Sequence, residues 1–324
     1  MKQQYLGDIS RESGKSVSTV SKVLRGCGGV DPDTRETILC TVARMNLPSY
    51  EPKMSDIYAI LPDNPKFFWH QAYEAIKQST LPIQLKIFSA LRGDNGYLIS
   101  QYVEEAVAAG ARVLIISAHI NETLQARLAE LACSMLVIQF CEYTPISNTF
   151  FVGSNGFETG KALADSLQVE GDRPLNIGVL RMRLSQGSEQ RLDGFLNALP
   201  SSVRLFSVER PSNPELYASQ LARAIDALGV PLDYLFCFDG MTTAACEAIY
   251  KLRAKMQTRL LGFEYPPMAQ KHMEAGRIAA LAVQNPDEQM RTALSLAEEY
   301  LRKRIYPDHK MNYVGTEILL GGVQ

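Results

Sequence analysis

From residue 57 onward, short apolar runs alternate with longer stretches whose apolar residues recur every three or four positions. The runs at 57–61, 84–88, 113–117, 135–140, 176–180, 234–238, 259–263 and 278–283 read as buried strands. Stretches such as 96–109, 122–131 and 157–167 read as amphipathic helices between them. Alternation on this scale predicts an α/β architecture of doubly wound parallel sheets, with helices on both faces. So long a segment exceeds one ordinary hydrophobic core, and a division into two lobes changing over near Gly153 is expected.

The first 48 residues carry a different pattern, that of a small all-α unit. A helix through Asp8–Ser13 turns Leu6 and Ile9 inward, Gly14 supplies a turn, and Ser16 is placed to cap the segment V-S-T-V-S-K-V-L. In that segment Val20, Val23 and Leu24 share one face, leaving Val17, Ser18, Ser21 and Lys22 on the other. Asp31-Pro32 opens a third helix as N-cap and first-turn proline, with Ile38, Leu39, Val42 and Met45 completing a three-helix core. Two short helices about a tight turn, the second studded with small polar side chains, outline a helix-turn-helix that reads a DNA major groove.

Charge refines this picture. The net charge is −2, but residues 1–50 hold seven Lys/Arg and five Asp/Glu, so a mildly basic head precedes an acidic body. With 46% hydrophobic and 21% charged residues the composition is that of a globular protein. No apolar run approaches a membrane span, and the opening M-K-Q-Q-Y-L-G-D-I-S lacks the apolar core of a signal peptide, so a cytoplasmic location is expected. The six cysteines and four histidines are scattered without ligand spacing, which predicts free thiols and neither metal nor cofactor. Neither G-x-S-x-G nor H-E-x-x-H occurs, nor a glycine-rich phosphate loop, so an enzyme is not expected.

The N-terminal segment resembles the DNA-binding head of the LacI family of bacterial transcription regulators. The family's pattern falls on Tyr5-Leu6-Gly7-Asp8-Ile9-Ser10, Ser13-Gly14-Lys15-Ser16, Thr19-Val20-Ser21-Lys22-Val23-Leu24 and Val30-Asp31-Pro32-Asp33-Thr34-Arg35-Glu36. The resemblance implies that Val17, Ser18 and Lys22 read base edges, and that Ser16, Thr19, Ser21 and Thr34 bond phosphates. It departs at the hinge. The stretch L-P-S-Y-E-P-K-M-S-D at 47–56 has two prolines and no A-R-x-L, which reads as a stiff linker instead of a minor-groove helix. The expected domains are a head at 1–48, an atypical linker at 49–56 and a core at 57–324. Within the core, one lobe takes about 57–152 with 284–310 and the other about 153–283 with 311–324.

The core resembles the family's periplasmic-sugar-binding-protein-like body on Thr144-Pro145-Ile146, Asn155-Gly156-Phe157-Glu158-Thr159-Gly160, Gln190-Arg191-Leu192-Asp193-Gly194-Phe195, Gly262-Phe263-Glu264 and Gln284-Asn285-Pro286-Asp287-Glu288-Gln289. In that fold ligand binds between the lobes, at strand carboxyl ends. The implied ligand residues are Phe68 and Trp69 as aromatic faces, Arg191 as a planar fork for paired hydroxyls, and Asp239, Glu264 and Gln284 as hydrogen-bonding groups. Ser117, Gln139 and Asn155 join them as weaker candidates. Phe238 stands where the family has asparagine and Glu264 where it has aspartate, so the pocket differs from its relatives. Together these readings predict a ligand-responsive regulator, a repressor acting as a homodimer on a pseudo-palindromic double-stranded DNA operator, with a sugar or sugar derivative as effector. The missing hinge leaves a second expectation, a sugar-receptor-like protein whose head does not bind DNA specifically. No leucine heptad follows the core, so a dimer without a tetramer tail is expected.

Overall fold

The structure, a computed structural model, describes residues 2–24, 30–45, 53–64, 67–89, 96–167, 173–181, 186–213, 215–238, 241–252 and 258–322. Three helices open the chain: α1 (Lys2–Ser13), α2 (Val17–Leu24) and α3 (Pro32–Arg44). The turn between α1 and α2 runs through Gly14 at φ +67°, a conformation that only glycine adopts without steric cost. Ser16 Oγ accepts the Thr19 amide at 3.1 Å and Asp31 Oδ2 accepts the Thr34 amide at 2.9 Å, so each following helix is capped where its first amides lack partners. Ile9, Val20, Val23, Leu24, Ile38 and Val42 form the buried core of the bundle.

Residues 53–56 close a turn, in which the Asp56 amide donates to the Lys53 carbonyl and the Asp56 carboxylate accepts the Lys53 amide. Met54 in that turn is exposed. The rest of the expected linker, 49–52, lies outside the described residues.

Chain contacts divide the molecule into two units. The first comprises Met1–Asn64, Tyr73–Gly153 and Asp287–Asn312. Its elements after the bundle are β1 (Ile57–Asp63), α4 (Phe67–Gln78, begun in the second unit), β2 (Ile83–Ser89), α5 (Gly96–Ala108), β3 (Val113–Ile116), α6 (Glu122–Leu131), β4 (Leu136–Phe140) and β5 (Phe150–Gly153). β1 pairs in parallel with β2 and β3, β3 with β4, and β4 with β5. β3, β4 and β5 are buried along their whole length, the mark of strands covered on both faces.

The second unit comprises Pro65–Ala72, Ser154–Pro286 and Tyr313–Gln324. It holds α7 (Gly156–Asp165), β6 (Leu175–Arg181), α8 (Gln186–Ala198), β7 (Val203–Glu209), α9 (Tyr217–Asp226), β8 (Tyr234–Phe236), α10 (Thr242–Lys251), β9 (Arg259–Phe263), α11 (Ala269–Glu274) and β10 (Ile278–Val283). α12 (Pro286–Lys303), β11 (Met311–Tyr313) and β12 (Glu317–Leu320) complete the chain. The strand orders are β11-β5-β4-β3-β1-β2 in one sheet and β12-β10-β9-β8-β6-β7 in the other. Each sheet thus repeats the doubly wound order, in which the first strand lies between the second and third. β12 runs antiparallel to β10 at its edge.

The eight expected strands form, with ends shifted by two residues at most. Four further strands, β5, β7, β11 and β12, lie outside those expected. β7 lies at a sheet edge with Arg204, Leu205, Ser207 and Glu209 on or near the surface, while β11 and β12 are three- and four-residue edge strands. β5 is fully buried but only four residues long.

Near α10 and α11, the Arg277 guanidinium donates to His272 Nδ1 at 3.2 Å, which places any neutral-ring proton on Nε2. Burial, and then the Arg277 charge, hold the His272 pKa below its ordinary 6.5. The unfolded chain takes up that proton more readily than the folded one, so the second unit is expected to lose stability as pH falls below about 6.5. Chemical denaturation between pH 7.5 and pH 5.5 tests this, with His272→Gln flattening the dependence. An equal slope in both proteins would contradict the assignment.

Candidate functional site

The helix pair α7 and α8 sets up the principal polar cluster, which lies in the second unit. A Cβ on Gly160 would sit 2.0 Å from the Arg191 carbonyl oxygen, and one on Gly194 1.9 Å from the Phe157 carbonyl oxygen. The two helices therefore touch backbone to backbone, and that contact fixes where Arg191 leaves α8. Asn155 caps α7 through Oδ1 on the Glu158 amide at 3.2 Å.

Arg191 Nη2 donates to Gln284 Oε1 at 2.6 Å, and the guanidinium lies over the Phe263 ring with Cζ 4.7 Å from its centroid. Gln284, directly after β10 and buried, also accepts the Ser154 hydroxyl at Oε1, at 2.7 Å, and donates from Nε2 to Glu264 Oε1. Glu264 follows β9, is buried, and holds φ at +65°. Its amide donates to the Ala282 carbonyl at 2.9 Å. A glutamate in the left-handed region carries backbone strain of roughly 1–3 kcal/mol, of the kind that gathers at functional sites. Asn285, next to Gln284, shares that conformation at φ 53°. Thr242 at the start of α10 donates to the Phe263 carbonyl at 2.5 Å and anchors the end of β9.

Ser154, Arg191, Phe263, Glu264 and Gln284 thus form one connected group beside the carboxyl ends of β9 and β10. Arg191 Nε is buried with no hydrogen-bond partner among the described residues, and a buried donor in that position calls for an acceptor. The group offers a planar donor fork, a carboxylate acceptor and an amide able to do either, on an aromatic platform. That set complements neighbouring hydroxyls, each of which donates and accepts.

Of the expected ligand residues, the structure therefore brings together Arg191, Glu264 and Gln284. Ser154 and Phe263 join them. Nothing local distinguishes Ser154 from other serines, and Phe263 is legible only as part of G-F-E. Phe68 and Trp69 open α4 in a stretch assigned to the second unit; both are buried and meet edge to face at 5.2 Å. Ser117 and Gln139 belong to the first unit. Ser117 is buried just beyond β3, its amide bonded to the Ile60 carbonyl at 3.0 Å. Gln139 spends both amide hydrogens on the Thr144 carbonyl and Thr149 Oγ1 and accepts the Thr144 amide, so it braces the loop 141–149. Asn155 serves as a helix cap, and Asp239 lies outside the described residues. Among the described residues no group of three His, Cys, Asp or Glu is placed to hold a metal, and no helix is long and apolar enough to cross a membrane.

A second polar surface lies on the N-terminal bundle. Val17, Ser18 and Lys22 are exposed on α2, with Ser16 exposed ahead of it. The Ser16 hydroxyl lies 2.9 Å from that of Ser18 and 2.7 Å from that of Thr19. Lys15 Nζ donates to Thr34 Oγ1 at 3.2 Å, tying the turn to α3, and Ser21 and Thr34 are half-buried.

The sequence profile of the periplasmic binding protein domain matches residues 57–305. The chain belongs to that family. The chain is 24% identical to the ribose operon repressor of Haemophilus influenzae, over 92% of this chain and 98% of the relative. A match of that extent is longer than the segment from residue 57 to the end, so it reaches into the N-terminal helices. Among solved structures, the periplasmic component of an ABC-type sugar transport system from Hahella chejuensis superposes with a TM-score of 0.70 at 21% identity, over 81% of this chain and 99% of that one. A periplasmic solute binding protein of an ABC transporter from Actinobacillus succinogenes 130z, with bound D-allose, gives a TM-score of 0.69 at 19% identity, over 82% and 98%. At these identities the structural likeness establishes the fold of the periplasmic binding protein domain.

Proposed function

We propose that the protein is a sugar-responsive transcription regulator, in which the cluster around Arg191 and Gln284 takes a monosaccharide and the N-terminal helices bind DNA. The observation that carries the ligand half is the connected set Ser154–Gln284–Arg191–Glu264 on Phe263, a donor and acceptor array suited to paired hydroxyls. The repressor named among the relatives and the D-allose bound in a structural neighbour support the same class of ligand. No residue set for turnover enters this reading, which is of a binding protein and not an enzyme.

The DNA half rests on α2, whose apolar face is buried against α1 and α3 while Val17, Ser18 and Lys22 stay exposed. In this reading α2 is the recognition helix, Val17, Ser18 and Lys22 contact base edges, and Ser16, Thr19, Ser21 and Thr34 contact phosphates. Two copies in a homodimer bind the halves of a pseudo-palindromic operator, and the protein acts as a repressor whose DNA affinity changes with sugar.

Fluorescence anisotropy with palindromic fragments from the DNA upstream of its own coding sequence tests this. Lys22→Ala is expected to lose about 1–3 kcal/mol of binding and to relax preference at one base pair of each half-site. A dissociation constant that stays at the non-specific level of about 10⁻⁴–10⁻⁶ M at physiological salt for the unmodified chain would sink the regulator reading.

A further inference from the structure

The second helix of the bundle does not end in open solvent. The last carbonyls of a helix lack intrahelical partners. Here the Leu24 carbonyl, at the end of α2, accepts the Tyr306 amide at 3.3 Å. Ile305, next to it, packs against the bundle core of Ile9, Val20, Val23, Leu24, Ile38 and Val42. Tyr306 itself is buried in the first unit, its ring stacked on Phe150 of β5 (5.9 Å, 22° between planes) and packed against Tyr300 of α12 (4.8 Å).

The chain is bent into this double contact by Arg304. It follows α12 in a left-handed conformation (φ 59°), and its amide donates to the Tyr300 carbonyl at 2.8 Å. That is a helix stop usually made by glycine. The turn sends two successive side chains into two different cores, Ile305 into the bundle and Tyr306 against the sheet. An arginine held at positive φ persists only where the surrounding packing over-determines it.

We infer that Arg304–Tyr306 is a latch that docks the N-terminal bundle on the first unit and holds it in one orientation, with Ile305 as the positioning residue. The contact lies on the buried side of α2 and leaves Val17, Ser18 and Lys22 exposed. Its consequence for DNA rests on the regulator reading above: the latch sets where each reading face is presented.

Distance measurement between spin labels tests the latch without DNA or ligand. Cys40 on α3 and Cys133 after α6 are both exposed and carry the labels, with Cys27 and Cys141 replaced by serine. The full chain is expected to give one narrow distance distribution, Ile305→Val to keep it, and Ile305→Asp to broaden it at least twofold. A broad distribution in the chain with Ile305 intact overturns the proposal, as does a narrow one that Ile305→Asp leaves unchanged. On a palindromic fragment, Ile305→Asp is then expected to weaken binding about tenfold while the slope of affinity against salt stays the same, since phosphate contacts are kept. A chain with a narrow distribution and no specific DNA binding would retain the latch and lose the regulator reading.

Discussion

Gly194→Ala is expected to lower the stability of the second unit by about 3 kcal/mol, the upper end of the usual cost of overpacking. The added Cβ would meet the Phe157 carbonyl oxygen at 1.9 Å, its carbon at 2.7 Å and the Phe157 Cα at 2.9 Å. All three are backbone atoms of a helix and have no rotamer to retreat into, so α7 and α8 must separate. For a unit of this size the cost corresponds to a melting temperature lower by roughly 6–12 °C. Gly187, in the same helix α8, is the control: a Cβ there meets nothing within 4 Å. Gly187→Ala is expected to be neutral or to stabilise by up to about 1 kcal/mol through reduced freedom of the unfolded chain. Calorimetry of the two variants decides the matter, and equal melting temperatures would show that the helices do not touch as described. The same helix contact positions Arg191 of the proposed sugar site, because its Gly160 side abuts the Arg191 carbonyl. Gly194→Ala should therefore weaken sugar binding even where enough folded protein remains to measure it.

Gln284→Ala is expected to weaken monosaccharide affinity about 100-fold, or about 2.7 kcal/mol. Gln284 is buried and joins three groups at once, accepting from Arg191 and Ser154 and donating to Glu264. Its removal leaves the guanidinium without the bond that orients it, and deprives a buried carboxylate of a donor, a loss of about 1.5–3 kcal/mol for hydrogen bonds to charged groups. Arg191→Lys is expected to do less damage, about tenfold, since the charge stays while the planar fork is lost. Titration calorimetry with D-ribose and with D-allose reads both effects. If neither sugar binds the unmodified protein, the ligand class is wrong; if one binds and Gln284→Ala binds it equally well, the site lies elsewhere.

The polar cluster shows why glycine-bearing motifs were readable as patterns and not as mechanisms. N-G-F-E-T-G and R-L-D-G-F stand out in the chain by their resemblance to a family, but spacing alone gives Gly160 and Gly194 no reason to exist. Their reason is the distance between two helices, which requires the fold. Gln139 and Asn155 illustrate the converse. Both are weaker ligand candidates in the sequence; in the structure buried Gln139 braces the loop 141–149, while half-buried Asn155 caps α7 through Oδ1, roles that no spacing along the chain announces.

By itself, the sequence determined what depends on neighbours along the chain. The helical three-to-four-residue periodicity, the caps at Ser16 and Asp31, the turn at Gly14 and the apolar strand runs each act within a few residues, so eight strands and the three N-terminal helices were legible without a structure. Tertiary structure alone decided what depends on residues brought together from far apart. Ser154 meets Gln284 across 130 positions and Arg191 meets it across 93, while Ile305 enters a core built from residues before 45. No local signal encodes those meetings, because each is fixed by the packing of whole elements and not by the preference of any one residue.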